Sequence, residues 1–198
     1  MKIFSPLATL LMLASLTGFQ AQAGSRQVID ANGQPQSVPD APRRVVVLSE
    51  LDLDSALTLG VQPVGTVNGR GQSTLPRYLL DKAGKEIAVV GDLDNPNLET
   101  LIDLEPDLIL TGQTKPELLA LLKEIAPTVV TGNWGEPWKT VFGRSADAMN
   151  RGAEAKAFLT RYEARLAEAR SKLAQHQGEQ MSIVRWNPKG PSYMHGGT

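Results

Sequence analysis

Apolar residues in this chain form short runs that alternate with stretches of helical spacing. Five runs, at 44–48, 61–67, 87–90, 108–110 and 128–130, have the length of strands, and several are rich in β-branched side chains. Four segments between them, at 51–59, 75–83, 97–104 and 116–125, have the spacing and the Gly, Asn or Pro boundaries of helices. Strands that alternate with helices in this way predict an α/β fold with a parallel sheet.

Further elements flank this predicted sheet. Residues 24–42 predict a β-hairpin around Asn32-Gly33, a favoured two-residue turn. Residues 138–150 predict a helix, Gly152 an interruption, and residues 153–176 a rod of roughly 36 Å. The apolar stripe of that rod consists of Phe158, Tyr162, Leu166, Ala169 and Leu173.

The end of the chain predicts a strand without a partner. Residues 181–186 have a strand pattern, and a turn at 187–190 follows. An unpaired strand at the end of a long helix is a liability for a soluble protein. We therefore expect that a second α/β lobe is largely missing, through truncation or because the sequence is a fragment.

The first 23 residues predict an export signal. Met1-Lys2 gives a positive start, residues 3–19 are mostly apolar, and Ala21-Gln22-Ala23 has the small-x-small pattern of a cleavage site. The apolar stretch is short for a bilayer span of about 20 residues, which favours cleavage after Ala23 over an anchor helix. We expect a periplasmic protein.

Cysteine content and net charge exclude several kinds of site and binding partner. Cysteine is absent, so disulfides, thiolate metal sites and a lipid-modified cysteine are excluded. The net charge of −1 lacks the basic excess that nucleic acid or anionic lipid would attract. We expect a freely diffusing monomer that binds no nucleic acid and, after signal cleavage, does not insert into the membrane.

Catalytic motifs are not apparent. Gly69-Arg70-Gly71 lacks the spacing of a dinucleotide fingerprint, and neither a Walker lysine motif nor a Gly-x-Ser-x-Gly elbow occurs. We therefore expect a protein that is not an enzyme. A Ser-His-Asp triad is compatible with the composition, so an α/β hydrolytic enzyme stays an alternative.

Segments at 42–65, 90–109, 125–130 and 182–186 together resemble the periplasmic binding proteins of the helical-backbone class. These proteins serve ABC importers of iron–siderophore complexes, haem and cobalamin. The sequences Pro-Asn-Leu-Glu at 96–99 and Leu-Glu-Pro-Asp-Leu-Ile at 104–109 are specific to the class. The resemblance implies two α/β lobes joined by one long helix, with the ligand in the cleft between them. Residues 24–150 would form the N-terminal lobe, 151–178 the bridging helix, and 179–198 the start of a truncated C-terminal lobe.

The resemblance favours the siderophore branch, and the predicted parallel sheet places the site at its strand ends. Ligands of open parallel sheets bind at the carboxyl ends of the strands. A ferric siderophore has its iron already coordinated, so its binder needs arginine and flat aromatic surface, and we expect neither a cofactor nor a protein metal site. The candidate ligand-binding residues are Arg185, Arg70, Asn68, Trp134, Glu50 and Gln113.

The resemblance also implies that Glu99 docks onto the ABC permease in the inner membrane, although a glutamate there would favour a helix dipole as well. Other cargoes stay open, since the fold also carries cobalamin and haem, the latter requiring an axial His or Tyr. Zinc or manganese is disfavoured because the chain has only two histidines. A truncated product without function is the remaining alternative, because half of the cleft would be absent.

Overall fold

A computed structural model describes residues 24–69, 72–84, 86–176, 178–179, 183–187 and 190–194. The predicted export signal at 1–23 lies outside the described residues, so its cleavage after Ala23 stays a prediction. The strands are β1 Ser25–Ile29, β2 Pro35–Pro39, β3 Val45–Val47, β4 Gly65–Thr66, β5 Ala88–Val89, β6 Leu108–Gly112, β7 Thr128–Gly132, β8 Ile183–Asn187 and β9 Gly190–Met194. The α-helices are α1 Glu50–Thr58, α2 Leu98–Asp103, α3 Pro116–Ile125, α4 Trp138–Ala148 and α5 Gly152–Lys172.

The central sheet is parallel and has the strand order β5-β4-β3-β6-β7, which confirms the predicted fold class. The chain builds outward from β3 to β5, then returns to the other side of β3 and continues through β6 and β7. The direction of winding therefore reverses between β3 and β6. Such a switch point opens a crevice above the carboxyl ends of the two strands.

Helices cover both faces of this sheet. In β3, Val45 and Val47 pack in one apolar cluster with Leu53 of α1 and Phe142 of α4, while Val46 belongs to the other. That second cluster also contains Leu101 from α2 and Leu122 from α3. Side chains alternate between the two faces of a strand, so a run that is apolar at every position is buried on both sides.

The N-terminal hairpin forms as predicted and packs against the sheet. β1 pairs with β2, and Gly33 takes a φ of 74° in the turn. The Ala31 N–H donates to the Val130 carbonyl at 2.7 Å, and Arg26 forms an ion pair with Asp147 near the end of α4 at 3.2 Å. The hairpin therefore contacts the lobe through both its turn and its first strand.

The predicted helix over 75–83 is wrong. Only a single 3-10 turn, Arg77–Leu79, forms there. Pro76 precedes it with an extended ψ of 127°, and proline disfavours the helical region for Leu75 before it. The segment is nevertheless anchored, because Leu79 of this turn is fully buried in the core.

The long helix begins earlier and ends sooner than predicted. Gly152 is its first residue rather than an interruption, and after Lys172 the chain continues as a 3-10 turn, Ala174–His176. Its 21 residues span about 32 Å. Phe158, Tyr162 and Leu166 of the predicted stripe are half-buried, whereas Ala169 and Leu173 are exposed. The stripe is thus correct only in its first half, where α4 offers Trp138 and Phe142 as partners.

The prediction of a lone C-terminal strand is also wrong. β8 pairs with β9 in an antiparallel hairpin whose register joins Ile183 to Met194 and Asn187 to Gly190. The turn predicted at 187–190 therefore closes a hairpin. Pairing supplies β8 with the backbone partner that the sequence pattern alone did not reveal.

Candidate ligand-binding site

Four of the predicted site residues lie along one edge of the sheet. Asn68, Glu50, Gln113 and Trp134 follow the carboxyl ends of β4, β3, β6 and β7, which are consecutive neighbours in the sheet. Since neighbouring strands lie about 4.8 Å apart, this row spans roughly 14 Å. The row crosses the switch point between β3 and β6, where a crevice is expected.

Trp134 is the most exposed large apolar residue of this edge. It is 91% exposed, and its backbone N–H donates to the side-chain oxygen of Gln113 at 3.2 Å. Trp138, four residues later, instead packs its ring 5.2 Å from that of Tyr162 and 6.2 Å from that of Phe142. The structure therefore gives the two tryptophans different environments, because Trp138 is only 40% exposed and contacts two aromatic rings.

Glu50 and Asn68 lie on the other side of the switch point from Trp134. Glu50 is the first residue of α1 and is half-buried. Asn68 is also half-buried, and its backbone N–H donates to the Gly91 carbonyl at 2.8 Å, which joins the loops after β4 and β5. Both residues therefore lie at the carboxyl edge of the sheet beside the switch point.

The structure does not test the two predicted arginines. Arg70 lies outside the described residues. The backbone of Arg185 belongs to β8 and pairs with Ser192, but its side chain lies outside what the structure describes. Their roles at the site stay predictions.

The loop that carries Trp134 is held by an ion pair that the sequence did not suggest. Arg144 of α4 donates from Nη1 and Nη2 to the two carboxylate oxygens of Glu136, at 2.8 and 2.9 Å. Glu136 also accepts from the Asn133 N–H at 2.7 Å. The hydrogen bond from Arg144, with that of Asn133, lowers the pKa of the Glu136 carboxyl. Glu136 lies in a loop and Arg144 in the helix that follows, and no standard sequence spacing identifies an ion pair between two such positions.

The sequence profile of the periplasmic binding protein family matches residues 45–198. The chain belongs to this family. Membership confirms the resemblance inferred from the segments at 42–65, 90–109, 125–130 and 182–186. It also agrees with a function in binding rather than in catalysis.

The names of several relatives state a ligand. The chain is 31% identical over 163 residues to a Bacillus subtilis protein named "Probable siderophore-binding lipoprotein YfiY", covering 82% of this chain and 50% of that one. The crystal structure of Staphylococcus aureus SirA complexed with staphyloferrin B matches with a TM-score of 0.69 and 28% identity, over 81% of this chain and 56% of that chain. The petrobactin-binding protein YclQ of Bacillus subtilis shares the fold, with a TM-score of 0.71 and 23% identity. The match covers 87% of this chain and 61% of that chain.

This periplasmic binding protein spans about half the length of the curated relatives it matches. The matched region includes the parallel sheet and α5. This share agrees with a single α/β lobe. The division of the chain at 24–150, 151–178 and 179–198 stays a prediction.

A buried carboxyl beneath the crevice was missed by sequence reasoning. Asp52 of α1 is fully buried and accepts hydrogen bonds from the hydroxyls of Ser49 at 2.5 Å, Ser145 at 2.8 Å and Thr131 at 3.0 Å. Burial raises its pKa, and the three hydroxyls oppose that effect. The spacing of Ser49 and Asp52 is that of a helix capping box, and the Ser49 hydroxyl accepts from the Asp52 N–H at 3.0 Å. That signal was present in the sequence and locates the start of α1, but not the partners of the carboxyl.

Glu99 of this binding protein is exposed in the first turn of α2. Asn97 caps that helix as predicted, because its side-chain oxygen accepts from the Thr100 N–H at 3.0 Å. The position of Glu99 suits both a favourable interaction with the helix dipole and contact with another protein.

A groove of about 670 Å³ lies elsewhere, between α4 and α5. Its floor is formed by small and apolar residues such as Ala146, Ala155 and Leu159. The described residues of its lining include no aromatic side chain, whereas the strand ends present Trp134, so the strand-end edge is the better candidate for a chelate. Among the described residues there is no group of three or more His, Cys, Asp or Glu suited to a metal ion. In the same part of the chain, no helix combines the length and apolarity needed to cross a membrane.

Proposed function

We propose that this chain provides the ligand-binding lobe of the solute-binding component of an ABC importer, and that it captures a ferric siderophore or a similar iron chelate in the periplasm. The observation that carries the proposal is the solvent-facing Trp134 at the carboxyl edge of the sheet in a member of this family. The printed name of YfiY, which says siderophore-binding, and the staphyloferrin B bound to SirA support the ligand class.

The chemistry of this edge suits a chelate whose iron is already coordinated. The Trp134 ring offers a flat surface for the organic part of the ligand. The amides of Gln113 and Asn68 can donate to carbonyl or carboxylate oxygens, and Glu50 can accept from hydroxyl or amine groups. Arg70 and Arg185 would add forked hydrogen bonds to carboxylates.

Delivery to the permease is assigned to Glu99. The side chain is exposed in the first turn of α2, which follows β5, the outer strand of the sheet. A carboxylate there can pair with a basic side chain of the membrane permease. The protein would do so as a monomer.

The ligand is tested by titrating tryptophan fluorescence with ferric citrate, ferric hydroxamates, ferric catecholates and haem. We expect a ferric chelate to quench, and Trp134→Phe to remove most of that quenching. Trp138→Phe is the matched control, because that ring packs between helices and should not sense the ligand. Equilibrium dialysis with radioactive iron measures affinity without depending on a tryptophan.

A single lobe contacts its ligand from one side, so we expect weaker binding than a form with two lobes would show. Tight binding by this chain would contradict that expectation. Binding of haem alone, or quenching that persists in Trp134→Phe and disappears in Trp138→Phe, would contradict the proposed site. Turnover of an ester or phosphate substrate would instead favour the hydrolytic alternative.

A further inference from the structure

The backbone around Trp134 is restrained although its ring faces solvent. The N–H of Trp134 donates to Gln113, and the N–H of Glu136 donates back to the Asn133 carbonyl at 3.2 Å. Gly135 between them takes a φ of 84°, a conformation that other residues rarely adopt. The loop is therefore a tight turn, and the exposed indole projects from it.

Three separate elements hold this turn. Besides its forked contact with Glu136, Arg144 of α4 donates to the Thr131 carbonyl in β7 at 3.1 Å. The side chain of Asn133 donates to the Ala31 carbonyl in the N-terminal hairpin at 2.9 Å. A helix, a strand and a hairpin thus converge on a loop of about five residues.

The central ion pair is sheltered. The side chains of Glu136 and Arg144 are 24% and 25% exposed, less than those of Lys139 and Glu163, which are 43% and 54% exposed. Forked guanidinium–carboxylate contacts fix geometry as well as charge, whereas single exposed pairs contribute little. Because it is forked and less exposed, the Glu136–Arg144 pair is suited to fixing the conformation of the turn.

We propose that the Glu136–Arg144 pair is a positioning device that fixes the 133–136 turn before the ligand arrives and thereby increases the affinity that Trp134 contributes. This inference rests on the proposed function, because it assigns the pair to the ligand contact of Trp134. Ordering a loop and a large side chain on binding costs affinity, and a turn fixed in advance avoids that cost. Glu136 and Arg144 act through Trp134 and need not touch the ligand.

The first test is a double-mutant cycle measured by equilibrium dialysis with the ferric chelate that binds in the titration. Glu136→Gln keeps the size of the side chain and removes the charge, and we expect roughly tenfold weaker binding. In a Trp134→Ala background the same change should have no further effect on affinity. Glu163→Gln, which breaks the Lys139–Glu163 pair between α4 and α5, is the matched control and should leave affinity unchanged. Equal losses with and without Trp134 would show a general structural effect and overturn the proposal.

The second test needs no ligand. With Trp138→Phe and Trp186→Phe, Trp134 is the only tryptophan left, and its time-resolved fluorescence anisotropy reports local motion. We expect the amplitude of the fast anisotropy decay to increase after Glu136→Gln and to stay unchanged after Glu163→Gln. If no chelate binds but this mobility rises, the proposed function fails while the fixing of the turn stands. Unchanged mobility would overturn the positioning role. Arg144→Lys, which keeps the charge and removes the fork, replaces Glu136→Gln if that variant does not fold.

Discussion

Gly132, the last residue of β7, lies against Val141 of α4. A Cβ added there would be 2.7 Å from one methyl of Val141 and 3.2 Å from the other. Valine in a helix has one strongly preferred rotamer, so Val141 cannot turn both methyls away. Overpacking of this kind costs about 1–3 kcal/mol, against roughly 0.5–1 kcal/mol gained by restricting the unfolded chain. We expect Gly132→Ala to lower the free energy of unfolding by about 1–2 kcal/mol.

Thermal unfolding followed by circular dichroism measures this change. For a domain of this size the expected loss corresponds to a fall in Tm of roughly 2–8 °C. Gly143→Ala in α4 is the matched control, because a Cβ there meets nothing within 4 Å and alanine favours a helix by about 1 kcal/mol. Val141→Ala should relieve the clash, so the double variant should be less destabilised than the sum of its two single changes. A Gly132→Ala protein as stable as Gly143→Ala would refute the close approach of α4 to β7.

Two further predictions concern carboxylates. Because the folded state raises the pKa of Asp52 above 3.8, its proton stabilises the fold at low pH, and that contribution is lost as the pH rises through the raised value. In urea unfolding at a series of pH values, the stability of the native protein relative to Asp52→Asn should therefore decline with rising pH and then level off; a difference that is constant or increases would contradict this. Glu99→Arg should reduce iron uptake by cells without changing chelate affinity, whereas Glu117→Arg at the equivalent position of α3 should change neither, and an equal fall in affinity would disprove docking.

The sheet could be predicted from the sequence because its strands are buried on both faces. Val45, Val46 and Val47 are apolar at every position, a pattern that a half-exposed strand would not show. The segment at 75–83 has apolar residues at helical spacing, such as Leu75 and Leu79, but Pro76 decides its backbone. β9 could not be predicted, because Gly190 and Pro191 contradict a strand pattern and pairing with β8 outweighs that local preference.

The candidate site likewise contains residues that the sequence predicts and contacts that it does not. Strand-end positions such as Gln113 and Trp134 follow from topology once the order of elements is known. The hydroxyls around Asp52 do not, because Thr131 and Ser145 lie 79 and 93 residues away from it in sequence. Such contacts depend on how α1, β7 and α4 pack, and no local pattern encodes them.

The N-terminal hairpin has a practical consequence for attaching this protein to a surface. Its turn at Ala31 contacts the loop of Trp134, whereas Gly24, at the opposite end of β1, accepts from the Asp40 N–H at 2.8 Å. β1 separates these points by five residues, or about 17 Å. A fluorophore or biotin attached to the α-amino group that the predicted cleavage after Ala23 would leave on Gly24 would therefore leave the strand-end edge open to solution. A sensor chip with the lobe immobilised in this orientation would present Trp134 to iron chelates in the flowing solution.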